Sequence, residues 1–170
     1  MRRLILMRHA KSDWDAPYDS DHGRPLAARG EHAAAAIGRA LARSRQIPDL
    51  AVTSSARRAR TTVEIAAQAG AWDCPIEITD DLYGASPGDA IRLAQGTDAG
   101  IDRLLLAGHE PTWSHLAAVL TGGGRFLMKT ATALAIDFDT SSWDRVEPGA
   151  GAAAWMLNPR LFTDGDFDLA

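Results

Sequence analysis

The sequence predicts an α/β domain with three layers, in which a central and mostly parallel sheet lies between helices on both faces. Short apolar segments alternate with Ala-rich segments along the 170 residues, and this alternation is typical of βαβ units. A chain of this length fits one domain, residues 1–170, with one buried core. The last two predicted strands follow one another without a helix, so one of them is expected to run antiparallel at an edge of the sheet.

Six segments have the length and the apolar or β-branched content of buried strands. The predicted strands are Arg2–Met7, Leu50–Thr53, Pro75–Ile78, Arg103–Ala107, Ala133–Phe138 and Ala153–Leu157. Four further segments predict helices, and in the first of them Ile37 and Leu41 lie four positions apart on one helical face. The predicted helices are Glu31–Ser44, Arg57–Ala69, Gly88–Gln95 and Thr112–Leu120.

Local signals mark where some of these elements begin. Ser86 is followed by Pro87 and, three residues after the serine, by Asp89, which is the pattern of a capped helix N-terminus. Residues 13–28, between the first strand and the first helix, are polar. They predict a long loop that leaves the end of the first strand, and loops of this length are often functional.

The composition, with 46% hydrophobic and 24% charged residues, is that of a soluble globular protein. The formal net charge of −4 argues against general nucleic-acid binding, which usually needs a basic balance. Cys74 is the only cysteine, so no intramolecular disulfide can form and a reducing cytoplasm is the expected compartment. No segment approaches the roughly 20 apolar residues of a membrane span or the core of a signal peptide, so no membrane association is expected.

An arginine and a histidine stand where the first predicted strand ends. Arg8 and His9 follow the apolar residues 4–7. Unpaired charges are costly in the interior of a sheet, whereas ligands bind at the carboxyl edge of a parallel sheet in α/β proteins. The position favours an anion held beside a nucleophile or a base, although a surface dipeptide would also fit this pattern alone.

Two other strand ends carry residues of the same kinds. Arg57, Arg58 and Arg60 lie in the first turn of the second predicted helix, where the helix dipole disfavours cations unless an anion offsets them. Gly108 and His109 follow the fourth predicted strand. Each feature alone has a structural explanation, a solvated basic stripe for the arginines and a structural role for the histidine. Because the ends of parallel strands share one edge, the three segments are expected to converge.

In this order and spacing the three segments resemble the motifs of the histidine phosphatase superfamily, which has the phosphoglycerate-mutase-like fold. The matching motifs are Arg8-His9-Ala10, Ser54-x-x-x-Arg58-Ala59-x-x-Thr62 and Gly108-His109-Glu110-Pro111. Further segments resemble the SixA-type phosphohistidine phosphatase branch, and the resemblance extends from Arg2 to about Phe162. These segments are Arg8-His9-Ala10-Lys11-Ser12, Asp21-His22-x-Arg24-Pro25-Leu26 and Leu82-Tyr83.

The resemblance implies a phosphatase that uses a covalent intermediate and no cofactor or metal. His9 matches the nucleophile that takes the phosphoryl group, and a neutral imidazole whose other nitrogen donates to a backbone carbonyl suits this role. Arg8 and Arg58 match the phosphate-binding arginines, whose planar forks suit the transferring group. His109 matches the second histidine, a further donor to that group. The expected substrate-binding residues are Arg8, Arg58 and His109, with Lys11 and Ser12 as additional candidates.

The sequence departs from the family pattern at three places. Ala10 follows the expected nucleophile where the family usually has Gly, a change that is also common in the SixA-type branch. Ser54 and Ser55 stand where many members have Ser-Pro. Glu110 stands where many members have Asn. Because an inward carboxylate would repel a phosphate, Glu110 is expected to face outward or to pair with an arginine.

The general acid of larger family members has no firm counterpart in this chain. Asp80 and Asp81 are the nearest candidates, although a solvated turn would explain both, and Glu77 lies in the third predicted strand. An alkoxide leaving group needs proton donation, which contributes roughly 10²–10⁴-fold in rate, whereas imidazole is a far weaker base. The sequence therefore favours cleavage of a P–N bond over cleavage of an alkyl P–O bond.

About 50 residues separate Arg58 from His109, and the predicted helices and strands use most of them. Little chain remains for the lid that family members acting on small metabolites place there, so an open pocket is expected. The preferred reaction is hydrolysis of phosphohistidine on a protein, with inorganic phosphate as the product. A small phosphate ester is the alternative substrate.

Two other functions fit part of the pattern. A metal-dependent hydrolase could use His9, His109 and His115, but a spacing of six residues places the last two on different helical faces. A phosphate-binding module without turnover requires only the arginines, but the intact His9 argues against it.

Overall fold

The chain's structure, a computed structural model, describes residues 1–163 and is built on one six-stranded sheet. The strands are β1 (Arg2–Arg8), β2 (Leu50–Ser54), β3 (Ile76–Thr79), β4 (Arg103–Gly108), β5 (Ala133–Phe138) and β6 (Gly151–Leu157). Their order across the sheet is β3-β2-β4-β1-β5-β6. The strands β1 to β4 are parallel to one another, and β5 runs antiparallel to both β1 and β6. The predicted mixed and mostly parallel sheet is confirmed.

The sequence predicted that the antiparallel strand lies at an edge of the sheet. Instead, the antiparallel strand β5 is internal, because it pairs with β1 on one side and with β6 on the other. Five of the six residues of β5 are buried, whereas β6 is largely exposed along its length. The apolar side chains of β5 are buried when strands pair on both sides of it, and the more exposed β6 therefore forms the edge of the sheet.

The helices are α1 (Ala28–Arg43), α2 (Arg57–Gly70), α3 (Pro87–Gln95), α4 (Thr112–Leu120) and the short α5 (Arg160–Thr163). The four long helices were predicted, but α1 begins at Ala28 rather than at Glu31. Its N-cap, Ala27, makes no side-chain capping hydrogen bond, so the sequence carries no local signal for this start. Within residues 1–163, none of the helices combines the length and the apolar character needed to cross a membrane.

Helices cover both faces of the sheet. Successive residues of β1 point to opposite faces, so that Leu4 and Leu6 pack into the core that includes α3 and α4. Ile5 and Met7 pack into the core that includes α1 and α2. Burial of the sheet from both sides confirms the predicted three-layer arrangement.

Close contact between α1 and α2 depends on a glycine. A Cβ atom at Gly38 would lie 2.0 Å from the backbone oxygen of Ala66. We expect Gly38→Ala to lower the free energy of unfolding by about 1–3 kcal/mol, because overpacking against backbone exceeds the gain in helix propensity. Urea denaturation measures this difference.

Gly88 in α3 provides the matched control, because a Cβ there would meet only side-chain atoms at 3.5 Å or more. Gly88→Ala should leave stability unchanged or slightly raised. Equal stability of the two variants would show that the helices can separate without loss.

Candidate active site

The three predicted segments meet at one edge of the sheet. His9 follows β1 and His109 follows β4, which is the neighbour of β1, and Arg58 lies in the first turn of α2 after β2. The centroids of the His9 and His109 rings are 5.1 Å apart. A pocket of about 340 Å³ opens at this point. It is lined by Arg8, His9, Lys11, Ser12, Trp14, Arg24, Arg58, His109, Glu110 and Thr130.

His9 is held rigidly and is only 8% exposed. Its Nδ1 lies 2.7 Å from the backbone oxygen of Ala10, so Nδ1–H donates to that carbonyl and Nε2 keeps its lone pair. The backbone N–H of His9 donates to the carbonyl of Gly108 at 3.0 Å. The next residue, Ala10, donates its N–H to Oγ1 of Thr62 at 2.9 Å. These contacts tie the nucleophile candidate to both β4 and α2.

Burial is the main cause that lowers the pKa of His9 to about 3; the hydrogen bond to Ala10 opposes this shift, and the charges of His109, Arg58 and Arg8 contribute to it. The imidazole is therefore neutral over the physiological pH range, which is the form that can attack a phosphorus atom.

His109 makes a hydrogen bond between its Nε2 and Oγ of Ser54, at 2.9 Å. Its Nδ1 is buried and has no hydrogen-bond partner among the described residues. Burial lowers the pKa of His109 to about 4, and the charge of Arg58 acts in the same direction. The second histidine is thus neutral as well, and one of its ring nitrogens is left without a partner among the described residues.

Arg58 is oriented by Asp21, which lies in the long loop after β1. One guanidinium nitrogen donates to the backbone oxygen of Asp21 at 2.6 Å and the other to its carboxylate at 3.1 Å. Arg24 donates to the same carboxylate at 2.8 Å. Burial alone would raise the pKa of Asp21, but the hydrogen bond from Arg24 and the charges of both arginines lower it overall. Asp21 is therefore an anion that positions two arginines.

Arg8 approaches the pocket from the opposite side. Its Nη1 donates to the backbone oxygen of Met128 at 2.8 Å, while its buried Nε has no partner among the described residues. Burial lowers the pKa of Arg8 and the charge of Glu110 opposes that change. An arginine remains protonated under such conditions, so Arg8, Arg24 and Arg58 provide three positive charges around His9.

The sequence and the fold of this chain are similar to those of known proteins. A sequence model of the histidine phosphatase superfamily (branch 1) matches residues 4–99. This chain belongs to that superfamily. Protein Rv1276c of Mycobacterium tuberculosis strain H37Rv is 36% identical over 163 residues, which cover 91% of this chain and 100% of that protein.

Solved histidine phosphatases have the same fold. A structure from Agrobacterium tumefaciens assigned as the phosphohistidine phosphatase SixA is 26% identical, with a TM-score of 0.76 over 93% of this chain and 98% of that one. The protein histidine phosphatase SixA complexed with tungstate is 23% identical, with a TM-score of 0.79 over 92% and 97%. The mycobacterial glucosyl-3-phosphoglycerate phosphatase Rv2419c is 15% identical, with a TM-score of 0.65 over 90% and 97%. The superfamily fold therefore accommodates different phosphorylated substrates, and the SixA neighbours support the SixA-type branch.

Six of the residues predicted for a histidine phosphatase site line the pocket: Arg8, His9, Lys11, Ser12, Arg58 and His109. Glu110 also lines it and does not face outward. Its two carboxylate oxygens accept hydrogen bonds from the backbone N–H of Ser114, at 2.9 Å, and from the hydroxyl of Ser114, at 2.7 Å. The start of α4 therefore anchors this carboxylate beside Arg8.

Asp80 and Asp81, the predicted candidates for a general acid, do not line the pocket. They begin a 3-10 helix after β3, where both are exposed, and Asp81 lines a separate cavity with residues of α3. The turn directs Tyr83 toward the site instead, with its ring centroid 5.8 Å from that of His109. The expectation of an acid at positions 80 and 81 is corrected.

Several residues of the site had no predicted role. Asp21 and Arg24 orient the arginines, and Tyr83 donates its hydroxyl to Asp21 at 3.3 Å. The guanidinium carbon of Arg24 lies 3.5 Å from the ring centre of Trp14, a cation–π contact at the pocket mouth. The segments containing Asp21, Arg24 and Tyr83 were part of the SixA-like resemblance, which was the available signal.

The structure also bears on the metal-dependent alternative. His115 is exposed on α4 and is not among the pocket residues. Throughout residues 1–163, no three or more His, Cys, Asp or Glu side chains are grouped in a way that could hold a metal ion.

Between Arg58 and His109 the chain forms the rest of α2, β3, a 3-10 helix, α3 and β4, with no inserted lid element. The pocket is therefore open at its mouth, where Trp14 is 61% exposed.

We expect the pKa of His9 to make the stability of the protein depend on pH. The unfolded chain binds a proton at His9 below pH ~6.5, whereas the folded protein does so only near pH 3, because its pKa is lowered to about 3. The contribution of His9 to the free energy of unfolding therefore has its full value above pH ~6.5. It falls as the pH decreases, by about 2 kcal/mol between pH 7 and pH 5.

Urea denaturation at pH 7 and pH 5, in buffer without phosphate, measures this dependence. In the His9→Ala variant, the difference in unfolding free energy between pH 7 and pH 5 should be smaller than in the wild-type protein by about 2 kcal/mol. The His115→Ala variant, changed on the exposed side of α4, should show the wild-type difference. Identical pH dependence in the wild-type protein and His9→Ala would show that His9 is not buried in its neutral form.

Asp21→Asn tests the positioning of the arginines. An amide keeps the shape of the side chain but removes the charge that holds Arg24 and Arg58, so we expect kcat to fall about tenfold. Orthophosphate should bind more tightly, because a neighbouring negative charge has been removed. Kinetics and phosphate titration separate these effects, and Asp19→Asn, an exposed residue of the same loop, is the matched control. A lower kcat together with weaker phosphate binding would instead indicate general disruption of the site.

Proposed function

We propose that this protein is a metal-independent phosphatase that forms a phosphoryl intermediate on Nε2 of His9 and acts on phosphohistidine of another protein. The observation that carries the proposal is the neutral His9 ring, fixed by Ala10, among arginines, in a pocket whose lining within residues 1–163 holds no carboxylate free to donate a proton. Among the described residues that line the pocket, Glu110 is the one carboxylate, and both of its oxygens are occupied by Ser114.

In the first step, Nε2 of His9 attacks the phosphorus atom and the bond from phosphorus to the substrate imidazole breaks. Arg8 and Arg58 stabilise the equatorial oxygens of the transferring group, as arginine forks do in phosphoryl transfer. The ring of His9 gains positive charge, which the Ala10 carbonyl stabilises through Nδ1–H. The leaving imidazole takes a proton from water or already carries one, so no strong protein acid is required.

In the second step, a water molecule attacks the phosphoryl group on His9. The bond from phosphorus to Nε2 breaks, inorganic phosphate leaves, and His9 returns to its neutral form with the proton on Nδ1. His109 contributes its unpartnered ring nitrogen as a further contact to the phosphoryl oxygens. The net reaction converts phosphohistidine and water into histidine and phosphate.

The open pocket supports a protein substrate. A phosphohistidine side chain projecting from another protein can reach His9 without displacing an enclosing segment, whereas a small metabolite gains affinity from enclosure. Trp14, exposed at the mouth, provides an apolar surface beside the entering side chain.

The test compares hydrolysis of a phosphohistidine protein with hydrolysis of p-nitrophenyl phosphate and sugar phosphates, with a strong chelator present. We expect rapid turnover of phosphohistidine, slow turnover of the alkyl esters, and inhibition by tungstate, an oxyanion that a SixA structure holds. Trapping with ³²P in an alkaline SDS quench, in which a phosphohistidine is stable, should label the wild-type protein at a histidine.

Rapid hydrolysis of alkyl esters would contradict the assignment of a P–N substrate and favour a small phosphate ester. Phosphate binding without turnover of any substrate would identify a binding module instead. Loss of activity with chelator would revive the metal-dependent alternative.

A further inference from the structure

A second cavity, of about 450 Å³, adjoins the active-site pocket. Arg8, Lys11 and Thr130 line both spaces, so the two spaces lie side by side and a protein substrate bound at His9 can contact both. Its outer walls include Arg29 at the start of α1 and Lys129 in the segment before β5. Neither the nucleophile nor the second histidine lines it.

The second cavity is strongly cationic. Five basic side chains line it, and among the described lining residues there is no carboxylate: the five are Arg8, Lys11, Arg29, Lys129 and Arg160. Lys11, Arg29 and Lys129 form no ion pair with a carboxylate of residues 1–163. Because the whole chain has a formal net charge of −4, this concentration of positive charge is local.

The arginines of the active-site pocket and the cations of the second cavity differ in exposure, and this difference indicates which kind of anion each space suits. In the active-site pocket Arg24 and Arg58 are buried and held in fixed orientations by Asp21, which suits a single phosphoryl group. Arg29 and Lys129 are exposed, so their long side chains can follow carboxylates on a protein surface. Complementary charge of this kind contributes specificity and association rate.

We propose that the second cavity binds an acidic side chain of the phosphoprotein substrate, an Asp or Glu within a few residues of the phosphohistidine. This inference rests on the proposed function, because the ligand is part of the same substrate that delivers its phosphoryl group to His9. The enzyme then selects phosphohistidines with acidic neighbours.

Two phosphohistidine peptides of equal length test the proposal, one with Glu and one with Gln on both sides of the phosphohistidine. We expect the wild-type protein to give a kcat/KM about tenfold higher for the Glu peptide at low ionic strength, because two partly exposed charge pairs form. The ratio should fall toward one in about 0.5 M salt, where exposed charges are screened.

The double variant Arg29→Ser, Lys129→Ser should lower the Glu-to-Gln ratio to near one. Arg39→Ser, Arg125→Ser is the matched control, since it removes the same amount of charge from α1 and from the segment that contains Lys129. Arg39 and Arg125 are exposed and do not line the cavity, so the control should keep the wild-type ratio. A ratio that falls equally in both double variants would indicate a general charge effect and overturn the proposal.

A binding measurement separates this inference from the proposed function. Fluorescence anisotropy with the two unphosphorylated peptides needs no turnover. The Glu peptide should bind more tightly than the Gln peptide to the wild-type protein and to the Arg39→Ser, Arg125→Ser control, but not to the Arg29→Ser, Lys129→Ser variant. If neither phosphopeptide is hydrolysed, the proposed function fails, while the anisotropy still decides whether the cavity binds acidic peptides. Equal hydrolysis of the two peptides by the wild-type protein overturns the inference and leaves the proposed function standing.

One further variant addresses the chain's own carboxylates. Asp164, Asp166 and Asp168 follow the described residues in the sequence, and replacing all three with Asn removes them as competitors. We expect the wild-type protein itself to distinguish the two peptides. Discrimination that appears only in the triple variant would mean that the chain's own acidic residues compete for the cavity and would overturn a role in substrate selection for the wild-type protein.

Discussion

The His9→Ala variant is expected to hydrolyse phosphohistidine peptides at least about 10⁴-fold more slowly than the wild-type protein, because it removes the atom that accepts the phosphoryl group. The variant should also fail to form a ³²P-labelled intermediate, while the three arginines around the pocket still bind phosphate. Single-turnover kinetics measures the first effect, and ³²P labelling after an alkaline SDS quench measures the second.

His115→Ala is the control for this experiment, because it removes an exposed histidine of α4 and should leave both the rate and the labelling intact. Circular dichroism and phosphate titration establish that His9→Ala is folded. A folded His9→Ala protein that retains turnover within about tenfold would rule out His9 as the nucleophile.

Arg58→Ala is expected to produce the second-largest loss, with kcat/KM lower by roughly 10³-fold. Arg58 is buried in the first turn of α2 and is the arginine that Asp21 orients through two hydrogen bonds, so it supplies a fixed fork to the transferring oxygens. Removing a fixed donor of this kind costs about 3–4 kcal/mol in the transition state. Steady-state kinetics with a phosphohistidine peptide measures the effect.

Arg58→Lys separates charge from geometry. The lysine keeps the positive charge but offers no fork, so we expect roughly 10²-fold lower kcat/KM. Arg57→Ala, the exposed neighbour in the same helical turn, should retain activity within about twofold. Full activity of Arg58→Lys would mean that the charge alone matters and that the orientation by Asp21 has no role in turnover.

The sequence was sufficient for the features that depend on local periodicity. Alternating strands and helices predicted the parallel core of the sheet. The position of the Arg8-His9, Arg58 and Gly108-His109 segments after three predicted strands predicted that they share one edge. The antiparallel position of β5 was harder to place, because strand order depends on which neighbours bury an apolar segment, and no local pattern records that choice.

The general acid shows the limit of reasoning from position along the chain. Asp80 and Asp81 precede Tyr83 by only a few residues, yet a 3-10 helix turns them to solvent while Tyr83 lies against His109. For Glu110 the sequence left two possibilities, facing outward or pairing with an arginine, and the structure places its carboxylate at the pocket, anchored by Ser114. The direction of a side chain in a turn depends on a few backbone dihedral angles, which residue type constrains only weakly.

By itself the sequence determined the fold class and the edge of the sheet at which the site forms, because strand periodicity places the ends of parallel strands together, while the resemblance to histidine phosphatases pointed to six of the residues that line the pocket. The tertiary structure alone decided that Asp21 positions Arg58, that Glu110 enters the pocket and that five basic residues from distant parts of the chain surround a second cavity. The second cavity, for example, is lined by residues as far apart in the sequence as Arg8 and Arg160, which the loops of the chain bring together. Such long-range contacts follow from the packing of the whole molecule, which no local pattern of residues encodes.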